Sequence, residues 1–316
     1  MSAKDTGVEK IAIIGCGVIG ASWSAHYLAQ GFDVVATDPA PGAEKSLREL
    51  VKSFWPALQR IGLAPGASID RLAFQSDLSK TVSGAGFVQE NGPERVDIKR
   101  SMIATIDGAV APDVLIATSS SGLLISDIQG AAKHPERVLL GHPFNPPHLI
   151  PLVEIVAGKL TSPKAVERAL AFYTAVGKKP IHIRKEVKGH VANRLQAALW
   201  REAFYLVQQG IASVTDIDTA ISQGPGLRWA LLGPFMNLHL SGGAGGIGHI
   251  IDHLGPPIES WWRALGDLSF SAEVRKEAVD GIDAELKGFD LAKLTEQRDD
   301  VLLSLMALKK QANQLP

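Results

Sequence analysis

Apolar residues follow two rhythms along this chain. Up to Arg184 they fall in short continuous runs, each bounded by glycine, proline or polar residues. From His190 onward they recur at helical spacing. Continuous runs of four to six apolar residues read as strands buried on both faces of a parallel sheet. They predict strands at Ile11–Gly15, Val34–Thr37, Phe87–Glu90, Val114–Thr118, Val138–His142, Leu152–Val156 and Lys179–Arg184. Helical stretches lie between them: Ala21–Gln30 with a stop at Gly31, Gly42–Leu72 in two pieces broken at Gly62–Gly66, Asn91–Gly108 and Leu123–Ala132. Alternating strand and helix implies an α/β domain with a doubly wound parallel sheet. After the charged connector Arg184–Gly189, the stripe Val191, Leu195, Ala198, Leu199, Phe204, Leu206 predicts a helix ending at Gly210. Further helices are expected from a Thr215 cap to Gly224, then at Gly233–Leu240, Ile247–Leu254, Ile258–Leu265, Ser271–Leu286 and Asp290–Gln314. The expected organisation is an α/β domain over residues 1–188 and an all-α domain over 189–316. The broad apolar faces of the second predict a homodimer as well as a core.

The first turn carries chemistry. Gly15, Gly17 and Gly20 form G-x-G-x-x-G between the first strand and helix, with Cys16, Val18 and Ile19 in the variable positions. Glycines there let the backbone approach a pyrophosphate at the helix N-terminus. Asp38 ends the second strand, eighteen residues after Gly20, where an acid can accept the ribose hydroxyls. Pro39, Ala40 and Pro41 follow, with no adjacent Arg or Lys to hold a 2′-phosphate, which favours NAD over NADP. Cys16 reads as a small residue filling the turn. Lys45, Arg48, Lys52, Arg60 and Arg71 in the next segment read as a solvated face.

Ligands of such sheets bind beyond the carboxyl ends of the strands. Three motifs fall there: Glu90-Asn91-Gly92-Pro93-Glu94, Ser119-Ser120-Ser121-Gly122 and His142-Pro143-Phe144-Asn145. His142 and Asn145 each precede a proline and are pushed out of the helical region. Glu154 shares a strand face with Leu152 and Val156, where a carboxylate is costly to bury unpaired. His142, twelve residues earlier, is its candidate partner. A histidine oriented by a carboxylate is a general base. The plainer alternative is a histidine that only caps or fills the core, and a serine run is ordinarily a solvated turn.

Composition narrows the rest. Over 316 residues, 46% are apolar and 21% charged, with net charge −1, so no global field steers nucleic acid or a membrane surface. Cys16 is the only cysteine, which excludes a disulfide framework and fits a reducing cytoplasm. The opening MSAKDTGVEK lacks an apolar core, unlike a signal peptide, and no run of about 18 apolar residues occurs. No His and carboxylate cluster has metal-ligand spacing, and His249 and His253 lack a nearby third ligand.

Taken together, Gly15-x-Gly17-x-x-Gly20, Gln89-Glu90-Asn91-Gly92-Pro93-Glu94, Ser119-Ser120-Ser121, His142-Pro143-Phe144-Asn145-Pro146, Leu152-Val153-Glu154 and Asn193-Arg194-Leu195 resemble the 3-hydroxyacyl-CoA dehydrogenase superfamily across nearly the whole chain. Gly224-x-Gly226-x-Arg228-Trp229-Ala230-x-x-Gly233-Pro234 resembles the branch that holds L-carnitine dehydrogenase and lambda-crystallin, an L-gulonate 3-dehydrogenase. The resemblance implies that His142 takes the hydroxyl proton with Glu154 orienting it, that Ser121 and Asn193 hold the reacting oxygen, and that Glu90 lies beside the nicotinamide ribose. Acyl-CoA enzymes of the family usually show Asn-Thr-Ser where this chain has three serines, so Ser119 also stands as a substrate contact. The implied substrate is a small free 3-hydroxy acid of the carnitine, gulonate or 3-hydroxybutyrate type. Arg228 would anchor its carboxylate or sit in a helix-end ion pair. Trp229, Trp261 and Trp262 would cage a trimethylammonium group or be core. Two other readings remain: an acyl-CoA substrate held by Lys45 and Lys52, and a structural protein without turnover.

Overall fold

The computed structural model describes residues 6–312 and residue 315. Residues up to Arg194 form one compact unit and those from Leu195 a second. The first unit is an eight-stranded sheet. Its strands are β1 (Lys10–Ile14), β2 (Asp33–Thr37), β3 (Leu72–Phe74), β4 (Phe87–Glu90), β5 (Leu115–Thr118), β6 (Val138–Pro143), β7 (Leu152–Val156) and β8 (Lys179–Ile183). They lie in the order β3-β2-β1-β4-β5-β6-β7-β8, and every pairing is parallel except β6 with β7. Helices α1 (Val18–Ala29), α2 (Ala43–Ile61), α3 (Leu78–Val82), α4 (Val96–Ala109), α5 (Ile125–Ile128) and α6 (Pro163–Ala175) complete this unit. This is a Rossmann-type doubly wound α/β domain.

Alternation along the strands sorts the core into two layers. Ile11, Ile13, Ala117, Leu139, Val153 and Ile155 join one buried cluster with Trp23, Tyr27, Phe172 and Tyr173. Ala12, Ile14, Ile116, Leu140 and Val156 join the other, with Ile103, Ile106, Ile125 and Ile128. Side chains two apart on a strand share a face. His142 therefore follows Leu140, and Glu154 precedes Val156, onto the same side of the sheet. Gly141 falls on the opposite side, where an added Cβ would lie 2.2 Å from the Tyr173 hydroxyl. Only glycine fits at that point, so the residue before the histidine is fixed by packing and not by turn chemistry.

Several expected elements differ. The second piece of the Gly42–Leu72 segment is a single 3-10 turn, Ile69–Arg71, that leads into β3. A three-residue edge strand is too short to show a period. The expected Asn91–Gly108 helix starts only at Val96, because Pro93 holds Gly92 extended and Glu94 is drawn to the serine turn. The expected Leu123–Ala132 helix is the short α5 followed by a 3-10 turn over Gln129–Ala131. Helix α6 was not marked by the apolar pattern at all. β7 runs antiparallel to β6, so the sheet is mostly, not wholly, parallel.

The second unit is all helical, and α7 (Ala192–Gln208) carries the chain into it. It holds α8 (Val214–Ser222), α9 (Pro225–Trp229), α10 (Pro234–Ser241), α11 (Gly246–Ala264), α12 (Ala272–Glu285) and α13 (Leu291–Gln311). Ser213, not Thr215, caps α8, in a reciprocal capping box with Asp216. The two helices expected around residues 247–265 are the single α11, which runs through Pro256 and Pro257. Proline fixes a φ that is itself helical, so the helix loses two donors there but keeps its path. Asp290 caps α13, and the Asn313–Gln314 end expected for that helix lies outside the described residues, as does the Met1–Asp5 start.

One buried cation in the first unit has a measurable consequence. Lys178 donates to the carbonyls of Pro147 and Ile150 in the loop between β6 and β7, and sits 5.1 Å from the centre of the Trp23 ring. Burial pulls its ammonium down from 10.5 to about 7. Above pH 7 the native chain has released this proton, whereas the unfolded chain keeps it until near 10.5. Stability from this group therefore rises with pH across that window, by at most about 1.4 kcal/mol per pH unit. Urea unfolding of the protein and of Lys178→Met between pH 7 and 9.5 should show the difference in unfolding free energy growing in favour of lysine. A flat or shrinking difference would contradict a depressed lysine.

Candidate active site

The base sits where two strands pair. His142 on β6 and Glu154 on β7 are direct cross-strand partners. The His142 Nδ1–H donates to Glu154 Oε2 at 2.8 Å, since an ionised carboxylate can only accept. Glu154 is completely buried and His142 is 4% exposed. The other carboxylate oxygen, Oε1, accepts the backbone N–H groups of Val191 and Ala192, both at 2.9 Å. These amides open α7, where a helix start welcomes negative charge. Burial alone would push the Glu154 carboxyl up, but the His142 bond and the two amides outweigh it and hold it below the usual range. With Nδ1 protonated, Nε2 is left as the acceptor of the ring, and the Ser121 hydroxyl lies 3.0 Å from it. The ring edge also meets Phe144, with centroids 5.8 Å apart.

The three serines separate by partner. Ser119 Oγ donates to Asn91 Oδ1 at 2.7 Å and accepts from Gln89 Nε2 at 2.9 Å. Ser120 Oγ donates to Glu94 Oε1 at 2.6 Å, and the same oxygen accepts the N–H of Gly122 at 2.7 Å. Burial raises the Glu94 carboxyl, but these donors and nearby Lys99 hold it below its usual range. Ser121 alone of the three reaches His142. The carboxylate of Glu94 is thus the brace of the turn that presents Ser121. The sequence places Glu94 in a strand-end motif but shows no role for it, because its partners lie 26 to 29 residues away.

Glu90 is the last residue of β4. It is wholly buried, and both oxygens are engaged: Lys99 Nζ at 2.9 and 2.8 Å, Gly92 N–H at 2.5 Å and Thr118 Oγ1 at 2.5 Å. It anchors the ends of β4 and β5 rather than offering a free carboxylate. Lys99 is also buried, 1% exposed.

The glycine turn fits a dinucleotide. Gly15 has φ +88°, and a Cβ there would meet the Asn91 carbonyl at 2.7 Å. A Cβ on Gly20 would lie 1.9 Å from the Gly15 carbonyl, so that helix packs directly on the strand. Gly17 faces open space at the start of α1, which has no side-chain cap and no acid in its first turn. Those free amides are a ready seat for phosphate. Val18 is 52% exposed beside them, and Ile19 packs partly against the core. Asp38 Oδ2 accepts the Cys16 N–H at 2.8 Å and Oδ1 that of Ala40 at 2.8 Å. A cavity of about 950 Å³ opens beside Asp38. Lys45 and Arg48 line it, although neither adjoins Asp38 in sequence, and each is paired with an acid, Glu49 and Glu44. Burial and the Asp38 carboxylate push the Cys16 thiol up to about 12, so it is an inert filler.

The remaining expected residues are more loosely placed. Asn193 lies in the first turn of α7, one residue after the amides that hold Glu154, and its side chain makes no hydrogen bond among the described residues. Arg228 and Trp229 belong to the second unit, on α9. The Arg228 guanidinium forms no ion pair among the described residues and lines a cavity of about 310 Å³ with Leu232, Asn237 and Ser241. Trp229 is 47% exposed and makes no ring contact with Trp261 or Trp262 among the described residues. Trp261 and Trp262, adjacent on α11, point about 100° apart. Among the described residues no group of three His, Cys, Asp or Glu side chains could hold a metal ion. No helix there is long and apolar enough to cross a membrane.

Comparison with known proteins accords with this geometry. The NAD-binding domain of 3-hydroxyacyl-CoA dehydrogenase matches residues 10–187, and the C-terminal domain of the same enzyme family matches residues 189–269. An L-carnitine dehydrogenase of Streptomyces coelicolor is 49% identical over 292 residues, covering 92% of each chain. One from Pseudomonas putida is 46% identical over 305 residues, covering 96% of this chain and 95% of that one. Among solved structures, FHMPC 5-dehydrogenase, an NAD+-dependent dismutase, superposes with TM-score 0.82 at 30% identity, over 96% of this chain and 99% of that one. FadB2 of Mycobacterium tuberculosis gives 0.64 at 28% identity, over 80% and 88%. A glycine turn built for a dinucleotide, a histidine held by a buried carboxylate at a strand end and these matches lead to one conclusion: the chain belongs to the 3-hydroxyacyl-CoA dehydrogenase family and is an NAD-dependent oxidoreductase acting on a CH–OH group.

Proposed function

We propose that this protein oxidises the 3-hydroxyl of a small free L-3-hydroxy acid, carnitine foremost, to the 3-keto acid. The observation that carries the chemistry is the Ser121–His142–Glu154 chain, in which Nε2 is the one acceptor of the His142 ring. The relatives named for carnitine, similar over more than nine-tenths of their length, support the substrate.

His142 Nε2 takes the hydroxyl proton as the carbonyl forms. Glu154 keeps the ring in the one tautomer that can do so, and its charge stabilises the imidazolium that results. The Ser121 hydroxyl and the Asn193 carboxamide bond the reacting oxygen. Bound NAD supplies the oxidant for the C–H bond, its phosphates held at the Gly15–Gly20 turn and its ribose at Asp38. In reverse, protonated His142 polarises the ketone.

The protein works as a homodimer in the cytoplasm. Large apolar side chains of the second unit stand exposed in this single chain, Phe235 at 76% and Trp262 at 65% among them, and such faces favour association.

Two measurements test this reading. Carnitine, L-gulonate, L-3-hydroxybutyrate and 3-hydroxybutyryl-CoA, each offered with NAD, should give the highest kcat/KM for carnitine. A highest value for the CoA ester would overturn the free-acid reading. Glu154→Gln should lower kcat by at least 10²-fold. Three N–H donors converge on Glu154, and an amide must turn its own NH2 toward one of them or force the proton of His142 onto Nε2. A loss under threefold would sink the assigned orientation.

A further inference from the structure

His190 has been given no role, yet it stands between the two groups that hold the base. Its ring centroid lies 5.1 Å from that of His142. Its Nε2 lies 3.2 Å from the Ser120 carbonyl, which can only accept, so Nε2 carries the hydrogen. The Ser120 carbonyl belongs to the turn that presents Ser121. On the backbone side, His190 immediately precedes Val191 and Ala192, whose amides hold Glu154 Oε1. Its own N–H closes a turn on the Val187 carbonyl at 3.1 Å. His190 is also the one non-glycine with positive φ among the described residues, at 50°. L side chains rarely adopt that conformation, and it persists where the surroundings over-determine it.

We infer that His190 is a positioning residue for the His142 base: its side chain grips the serine turn while its backbone turn aims two amides at Glu154. It thereby fixes the partners on both nitrogens of His142. The ring is 2% exposed, and Nδ1 has no hydrogen-bond partner among the described residues. Burial holds His190 below the usual histidine range, so the ring is neutral with a bare Nδ1. A neutral neighbour adds no second positive charge beside His142 when the substrate proton arrives there.

This inference rests on the reading of His142 as the base, and the test separates the two. Leucine and glutamine are equally disfavoured at positive φ, but only glutamine can still reach the Ser120 carbonyl with an N–H. His190→Leu should lower kcat at least tenfold with KM for NAD within twofold, and His190→Gln should stay within threefold of the parent. The downfield proton resonance of the His142 Nδ1–H, recorded without substrate, should shift or broaden in the leucine variant and return in the glutamine one. His190→Asn, which suits the backbone but whose amide stops short of Ser120, carries the leucine expectation if His190→Leu does not fold. Parental turnover in the leucine variant with an unchanged resonance would overturn the inference, as would equal impairment of leucine and glutamine. Lowered turnover with an unchanged resonance would also overturn it, since His190 would then act without moving the pair. A displaced resonance with parental turnover would overturn the reading of His142 on which the inference rests.

Discussion

A buried carboxylate that no Lys or Arg side chain pairs with among the described residues governs this site. Glu154 is wholly enclosed, and its charge is met by one imidazole N–H and two backbone amides. Burial without such donors would cost several kcal/mol or leave the group protonated. The donors come from β6 and from the start of α7, so the strand pairing, the helix start and the tautomer of His142 are set by the same group. A helix N-terminus serves here in place of a basic residue. A cation at that place would compete with the imidazolium for the carboxylate.

The sheet delivers this arrangement through parity. Antiparallel pairing of β6 with β7 puts His142 opposite Glu154, and alternation keeps both off the Tyr173 side. On that other side the Tyr173 hydroxyl donates to Gln89 Oε1 at 2.6 Å, and the Gln89 amide donates to Ser119. The serine turn is thus gripped three times: at Ser119 by Gln89 and Asn91, at Ser120 by Glu94, and at the Ser120 carbonyl by His190. The Ser121 hydroxyl is left to pair with the base. The loop after His142 is held by Lys178, a residue shared with no step of the chemistry. Rigid neighbours around one hydroxyl and one ring nitrogen are what an oriented proton transfer needs.

Much of this was legible from local pattern. Apolar runs closed by glycine marked the strands, and the placement of three polar motifs at strand ends marked the site, because both signals depend on residues close in sequence. The pairing of His142 with Glu154 was readable since only a short braced loop separates them. Other features depend on contacts from far along the chain. Ser119, Ser120 and Ser121 are alike in sequence and are told apart only by Gln89, Glu94 and His142. That Lys99 pairs with both oxygens of Glu90 is likewise a matter of packing, since nothing local marks a lysine on a helix as buried. His190 looked like the first residue of a helix, since nothing local records a left-handed φ on a histidine. The strand β3 was hidden by its length, and the continuity of α11 by its two prolines.

The central claim is that Glu154 fixes the tautomer of His142 so that Nε2 is the bare, basic nitrogen. The 15N chemical shifts of the His142 ring in the NAD-bound protein report this directly. The account predicts a protonated Nδ1 and an unprotonated Nε2 in the neutral ring. A ring protonated on Nε2, with Nδ1 bare toward Glu154, would contradict it.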